Sequence, residues 1–417
     1  MKQELKPKER IKLDHLGQFY SAINCKKNPG TFSLTAYLNE TIIPDTLQQA
    51  VNDIMQRLPF LNVCVRRGFF WYYNEVLECK PKVIPANTVS NLCGYFENGN
   101  NHLIRVLYGE KYFSVEVLHS VCDGRSLSKI VIALLVRYFE LLGDKINKDG
   151  IIDCTEKIES EEIEDAYLRY ANSGIKPKHK KEKDKEVYIP KHHSDTVKII
   201  VQRFSINEVK SKAKAYGITI TEYILANIFY EFAEQRVKDN CDKPITANIP
   251  IDCRGFFPTK CLRNFVSHKV ITMPEVNDFA EMAKKLKDQF AEITPDLVQY
   301  YISEMESHIR FGQFIPLVIK NWFIKRVGKS EGAGNSTGFS NLGLIKLPDE
   351  IKSRIDMFSF TLGAEPNMPF QFACVAVGDV LTLTSTVSAK DTSIIEKINT
   401  LRCGVACKAI FTSHNKR

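Results

Sequence analysis

The sequence predicts a mixed α/β protein made of two similar-sized α+β halves, and three observations carry that prediction. The chain has 417 residues, more than one ordinary hydrophobic core accommodates and enough for two domains. Helical periodicity gives way to strand alternation between residues 45 and 73, and a strictly alternating strand runs into another helix between residues 112 and 138. The same mixture of periods returns after residue 220, beyond a charged stretch without regular apolar spacing.

From Asp45 onward, Leu47, Val51, Ile54, Met55 and Leu58 fall on one helical stripe, with Pro44 before it and Asp45 placed to cap. Leu58-Pro59-Phe60-Leu61 follows, then Val63, Val65 and the aromatic run Phe69 to Tyr73, which suit strands. Between Tyr112 and His119 the alternation is strict: Phe113, Val115, Val117 and His119 share one face. After Gly124, residues Leu127, Ile130, Val131, Leu134, Leu135 and Tyr138 recur at helical spacing, and Gly143 closes the segment. His119-Ser-Val-Cys-Asp-Gly124 is thus a strand-to-helix junction.

From about Gly143 to Lys191 the chain turns charged, with a short helix expected around Glu161 to Tyr170. The domain boundary belongs there: an N-terminal half over 1–175, a charged crossover linker over 176–195, and a C-terminal half over 196–417. In the second half, Ile224, Leu225, Ile228, Phe229 and Phe232 mark a helix opened by Thr219 or Thr221, and Ile245, Ala247, Ile249 and Ile251 alternate as a strand. Gly109-Glu110 ahead of the His119 strand is echoed by Gly378-Asp379 ahead of Leu381, Leu383 and Ser385, so that Ser388 falls where His119 falls.

Composition narrows the function. At 44% hydrophobic and 25% charged residues the chain is globular rather than disordered. The formal charge of +8 could suggest an anionic partner, but residues 176–186 alone hold six lysines against three acids, which reads as a solvated connector; no nucleic-acid partner is expected. Twelve cysteines lie between Cys25 and Cys407 without any C-x-x-C spacing, and neither Cys253 and Cys261 nor Cys403 and Cys407 have a neighbouring histidine, so free thiols in a reducing compartment are expected and no metal site. The amino terminus is charged and no apolar run reaches membrane-spanning length, which gives the expectation of a cytoplasmic protein without an integral membrane segment.

Other motifs fail on spacing. Gly332, Gly334 and Gly338 miss the dinucleotide pattern because Thr337 holds the third glycine position, and Gly328-Lys329-Ser330 lacks a phosphate loop because Phe323 stands where its first glycine belongs. No G-x-S-x-G or H-E-x-x-H run occurs, and the adjacent His192-His193 pair does not converge naturally on one ion. What remains is His119. An imidazole titrates near neutrality and can accept a proton from an alcohol or amine and return it later. Gly124 permits backbone geometry that a side chain would obstruct, and Asp123 sits at the helix start, where a carboxylate is favoured. An Asp123 that points away to a distant arginine would fix the corner and leave His119 free.

With these residues the chain resembles the CoA-dependent acyltransferases, the superfamily of chloramphenicol acetyltransferases, alcohol acetyltransferases and peptide-synthetase condensation domains. The resemblance spans nearly the whole chain. It rests on Arg57-Leu-Pro-Phe-Leu61, the H-x-x-x-D-G run His119 to Gly124, Ile249-Pro-Ile-Asp-Cys-Arg254 with Asn264-Phe265 following, Phe339-Ser-Asn-Leu-Gly343, and the hairpin around Gly378. The alcohol acetyltransferase branch is the nearest in look. Leu118 stands where condensation domains usually carry a further histidine, and the D-F-G-W-G run of the plant branch is absent.

The resemblance implies a two-layer α+β sandwich in each of two chloramphenicol acetyltransferase-like lobes, paired as a pseudo-dimer around a central tunnel. It implies transfer of an acyl group, expected to be acetyl, from acyl-CoA as cosubstrate to a hydroxyl or amine acceptor. His119 would be the general base, with no covalent acyl-enzyme and no permanently bound cofactor. Asp123 would be structural, with Arg254 its candidate salt-bridge partner. Ser340 and Asn341 are candidate donors to the oxyanion or substrate. The alternatives are a donor tethered to an acyl-carrier protein, or a non-catalytic ligand-binding relative.

Overall fold

The computed structural model describes residues 6–88, 93–97, 99–175, 186–190, 193–276, 278–333, 335–365, 367–398 and 407–413. Most of the charged linker (176–185 and 191–192, with its lysine cluster and His192), as well as Gly334 and Cys403, lies outside the described residues.

The first half runs β1 (Arg10–Lys12), α1 (His15–Ile23), β2 (Thr31–Leu38), α2 (Pro44–Arg57), β3 (Val63–Arg67), β4 (Tyr72–Val76) and β5 (Val83–Pro85). It continues with β6 (Ile104–Tyr108), β7 (Tyr112–Leu118), α3 (Gly124–Leu141) and α4 (Ala166–Tyr170). The second half begins with β8 (His193–Ser205), α5 (Ile206–Ala215), α6 (Ile220–Lys238), β9 (Ile245–Asp252), β10 (Val266–Met273) and α7 (Phe279–Ala291). Then come α8 (Pro295–Gly312), α9 (Leu317–Ala333), β11 (Thr337–Ile345), α10 (Asp349–Lys352) and β12 (Ile355–Leu362). The chain closes with β13 (Phe370–Val377), β14 (Val380–Ala389), α11 (Ser393–Ile398) and β15 (Cys407–Ser413).

The fold is mixed α/β, as the two interleaved periodicities require. One five-stranded sheet has the order β12-β2-β7-β6-β5, and a seven-stranded sheet the order β10-β9-β11-β13-β14-β8-β15. A small β1-β4-β3 sheet completes the first half. Each large sheet buries one apolar face under helices: Leu34, Val115 and Val117 with Val51, Ile54, Leu127 and Val131 in the first core, and Ala247, Ile249, Phe372 and Leu383 with Ile224, Ile228 and Phe232 in the second. The halves are stitched together by β12, which leaves the second half to pair antiparallel with β2, Phe360 opposite Leu34. Periodicity identifies a strand but not its sheet, so this crossover has no local signature.

Several local details differ from the sequence-based expectation. Asp45 does not cap α2: Ile43 is the N-cap, Pro44 takes the first helical position, and Asp45 lies in the first turn, because proline fits where no N–H is required and the carboxylate still faces the helix dipole. The aromatic run Phe69 to Tyr73 is not one strand; β4 begins at Tyr72, and Phe69 is exposed in the preceding turn. The helix expected over 161–170 is broken into a 3-10 turn at Ser160–Ile163 and α4. Of the two candidate threonines, Thr219 opens α6, in a reciprocal capping box with Glu222.

Candidate functional site

The site forms where β7 gives way to α3. Strand pairing carries one residue past β7, with the His119 N–H donating to the Gly30 carbonyl at 2.9 Å. The turn Ser120 to Cys122 is buried, and Asp123 caps α3, its Oδ1 accepting from the Ser126 N–H at 2.9 Å. A carboxylate with extended backbone is well suited to that position.

The other Asp123 oxygen ties this corner to the second half. It accepts from the Phe265 N–H at 2.8 Å and from Arg254 Nη1 at 2.8 Å. Burial pushes the Asp123 carboxyl up, but Arg254 and these hydrogen bonds outweigh it and hold the group below its ordinary value. Arg254 spends its remaining donors on Cys261 O, Asp252 Oδ1, Ser126 Oγ and Arg263 O at 2.7 to 3.1 Å. All five guanidinium N–H groups thus have acceptors. Asp123 is turned away from His119 and knits the 120s to the 250s and 260s.

His119 has a different set of neighbours. Its ring stacks on Tyr20 of α1 at 4.3 Å between centroids with an interplanar angle of 2°, and Phe32 of β2 meets it edge-on at 4.8 Å. Nδ1 lies 3.1 Å from Asn264 Oδ1. The Asn264 amide is oriented by two acceptors, since Nδ2 donates to the His119 carbonyl at 3.0 Å and to Asp14 Oδ1 at 3.2 Å. Its Oδ1 must therefore accept from His119, which places the imidazole proton on Nδ1 and leaves Nε2 with a lone pair. Asp14 is itself fixed as the α1 N-cap, accepting from the Gly17 N–H at 2.7 Å, with Arg263 Nη2 at 3.4 Å. Burial raises the Asp14 carboxyl to about 6, against the pull of Arg263. Burial lowers the pKa of His119, its own backbone, Asp123 and Asn264 opposing in part, so the neutral ring is favoured.

His119 lines a cavity of about 160 Å³ with walls from both halves: Tyr20, Phe32 and Gly124 on one side, and Asn248, Asp252, His268, Ser340 and Asn341 on the other. The β9 alternation explains the second wall. Ala247, Ile249 and Ile251 are buried, while Asn248, Pro250 and Asp252 on the opposite face line the cavity; His268 stands across from Pro250 in β10. Asn341 is braced, its Nδ2 donating to Thr221 Oγ1 at 2.8 Å and its Oδ1 accepting from the Gly343 N–H at 2.7 Å. One amide N–H of Asn341 remains beyond the Thr221 contact.

Sequence reasoning gave no role to Asp14, Asn264, His268 or Glu365. Asn264 meets His119 from 145 residues further along the chain, a distance no spacing rule spans. His268 and Glu365 also line the cavity; burial and the nearby His119 lower His268 to about 4, and burial raises Glu365 to about 7. Polar residues on the open face of an alternating strand were the available signal for Asn248 and His268. Cys122, inside the motif, is no ready nucleophile, because burial pushes its thiol well up. Among the described residues no group of three or more His, Cys, Asp or Glu side chains is arranged to hold a metal, and no helix is long and apolar enough to cross a membrane.

No protein-family model matches the sequence, and no curated protein does either. Solved structures do. Polyketide synthase associated protein 5 from Mycobacterium tuberculosis superposes with a TM-score of 0.65 at 14% identity, covering 96% of this chain and 98% of that one. The trichothecene 15-O-acetyltransferase of Fusarium sporotrichioides gives 0.62 at 10% identity over 94% and 93%. The epimerization domain from the third module of tyrocidine synthetase B gives 0.58 at 13% identity over 96% of each chain. A further F. sporotrichioides protein, solved with coenzyme A and T-2, gives 0.60 at 8% identity over 94% and 97%. At these identities the likeness is one of fold: the chain has the mixed α/β fold seen in the trichothecene acetyltransferase and peptide-synthetase epimerization-domain structures.

Proposed function

We propose that the chain is an acyltransferase that moves an acyl group, acetyl in the simplest case, from a CoA thioester to a hydroxyl or amine acceptor, with His119 as general base. The observation that supports this most directly is the Asn264 contact at Nδ1, which leaves an unprotonated Nε2 on an imidazole lining a cavity. In this reading Nε2 takes the acceptor proton as the acceptor oxygen or nitrogen attacks the thioester carbonyl carbon. The carbonyl oxygen becomes an oxyanion, for which the free N–H of Asn341 and the Ser340 hydroxyl are the candidate donors. The C–S bond then breaks, the carbonyl reforms, and the departing CoA sulfur receives the proton from Nε2. No acyl-enzyme forms.

Asp123 and Arg254 hold the corner rather than react. Residues 1–175 supply the base and 196–417 the facing wall, the two lobes forming a pseudo-dimer around a tunnel that extends this cavity to both faces. The cosubstrate is acyl-CoA and the compartment the cytoplasm, where that thioester is made; the branch is that of the alcohol acetyltransferases.

The test is thiol release from a series of acyl-CoAs with a panel of alcohol and amine acceptors, for the wild type and His119→Ala. Loss of about 100-fold or more in the variant is expected for removal of a general base. Equal rates would sink the reading. Turnover with an acyl-loaded carrier protein and none with acyl-CoA would move the donor to a carrier, and tight ligand binding without turnover would make the chain a binding protein.

A further inference from the structure

Among the described residues, large apolar side chains are exposed together at the junction of α8 and α9. Phe311 is 83% exposed, Phe314 79% and Val318 82%, and Ile319, Trp322 and Phe323 are exposed beside them. The spacing explains this. Leu317, Lys320 and Ile324 turn inward, Leu317 and Ile324 packing on the first core, so the positions 318, 319, 322 and 323 share the outward face of α9. The turn before β4 adds Phe69 and Phe70 and is pinned to the same place: the Leu317 N–H donates to Phe69 O at 2.9 Å, and Lys320 Nζ sits 2.9 Å from the Trp71 ring centroid. Soluble proteins seldom leave so many large side chains projecting together without a use.

Charge indicates what covers this surface. From Ser307 to Ser330 the sequence contains Arg310, Lys325, Arg326 and Lys329, besides the inward-turned Lys320, and no Asp or Glu. Arg326 is exposed beside the Trp322 ring, and Arg67 is exposed next to Phe69. Trp and Phe on one face, with the exposed Arg67 and Arg326 and the Glu306-paired Arg310 at its border, is the pattern of a helix that lies in a lipid interface. Aromatics projecting from both a helix and a separate turn suit a deformable apolar medium better than a flat protein partner.

We propose that the α9 face, together with the Phe69–Phe70 turn, docks this protein peripherally on an anionic lipid bilayer, the aromatics entering the headgroup region and the surrounding cations meeting lipid phosphates and carboxylates. Because α9 packs against α1, which carries Tyr20 onto His119, the docked face adjoins the helix bordering the cavity. The proposal does not depend on the acyl-transfer reading.

Sedimentation of the full chain with phosphatidylcholine vesicles and with mixed phosphatidylcholine–phosphatidylserine vesicles tests it. Pelleting is expected with the mixed vesicles only, weakening as salt is raised. Phe69→Ser with Trp322→Ser and Phe323→Ser should lower the vesicle affinity about tenfold or more, while the thermal midpoint, measured in parallel, stays put because the three side chains are exposed. In wild type, brominated acyl chains should quench tryptophan emission, and Trp322→Phe should lose the share of quenching that Trp322 contributes, the half-buried Trp71 of the docked turn keeping the rest, yet still pellet. No pelleting, pelleting indifferent to phosphatidylserine, or equal pelleting by the triple variant would overturn the proposal. So would a wild-type dimer that the triple variant converts to monomer, since the face would then belong to a second copy.

Discussion

Asn264 grips His119 twice, its Oδ1 3.1 Å from the ring Nδ1 and its Nδ2 3.0 Å from the backbone carbonyl of the same residue. The ring is held in one tautomer by an amide that is itself oriented by Asp14. Asn264→Ala should therefore leave His119 present but poorly positioned, lowering kcat roughly ten- to a hundredfold with little change in KM. Asn264→Asp separates this role from a merely structural one. A carboxylate at that point would stabilise the imidazolium, so the acid limb of the kcat/KM profile, which in wild type should lie below the ordinary imidazole value because burial lowers His119, should move upward. An unmoved limb in the aspartate variant, with unchanged kcat in the alanine variant, would refute the positioning role.

Arg254 and Asp123 form an ion pair that is almost wholly shielded, with side-chain exposures of 8% and 1%. Breaking one side leaves the other charge buried without its partner, at about 3–5 kcal/mol. Arg254→Leu is accordingly expected to lower the thermal midpoint on the order of 10 °C, measurable by calorimetry. Arg254→Lys should not rescue it, because a single ammonium cannot reach Asp123, Asp252, Ser126 and the two carbonyls that the guanidinium serves. A midpoint within a degree or two of wild type would show, for Arg254→Leu, that the pair is dispensable and, for Arg254→Lys, that the additional guanidinium donors are.

The contrast between these two contacts explains how far the sequence could be read. The motif from His119 to Gly124 was legible because strand alternation, a helix stripe and a cap follow one another within a few residues, each the result of local geometry. Arg254 could be nominated as a partner through the family resemblance, although nothing in its spacing from Asp123 requires a contact. The roles of Asn264 and Asp14 were beyond reach: Asn264 meets His119, and Asp14 meets Asn264, only across separations of 145 and 250 residues, and neither residue type is unusual where it stands. The crossing of β12 into the first sheet was hidden for the same reason. Its alternation, Phe358 and Phe360 buried with Ser359 between them, suits either sheet.

His268 and Glu365 give opposite pH signatures. The folded-state pKa of His268 lies near 4, below the ordinary 6.5, so between those values the unfolded chain binds the proton and stability is lost as pH falls. For Glu365 the folded value is about 7, above the ordinary 4.5, so the folded chain holds the proton and stability is lost as pH rises through that window. Compared with wild type, His268→Asn should lose less stability when pH is lowered from 7 to about 5, and Glu365→Gln should lose less when pH is raised over the same range, each by up to about 1.4 kcal/mol per pH unit. Urea titrations at several pH values would show the two slopes; slope changes from wild type of the same sign in both variants would contradict the burial of one of the two groups.

Gly124 offers the sharpest probe of the cavity itself. A Cβ built there would lie 2.9 Å from Leu342 Cδ2 and 3.1 Å from Phe360 Cζ. Both are side-chain ends contributed by the second half, and both line the cavity with His119. Because these ends can shift by a few tenths of an ångström, Gly124→Ala should fold with a loss of about 1–2 kcal/mol, but the displaced ring and methyl groups would crowd the cavity that His119 lines. The expected outcome is a raised KM for the bulkier of two acceptors and little change for the smaller, with the acid limb of the pH profile unchanged because the His119–Asn264 contact is untouched. Gly124→Val should extend the trend to both acceptors. An alanine variant that binds both acceptors as tightly as wild type would mean that reaction takes place away from this wall, and the assignment of the cavity as the meeting point of donor and acceptor would fall with it.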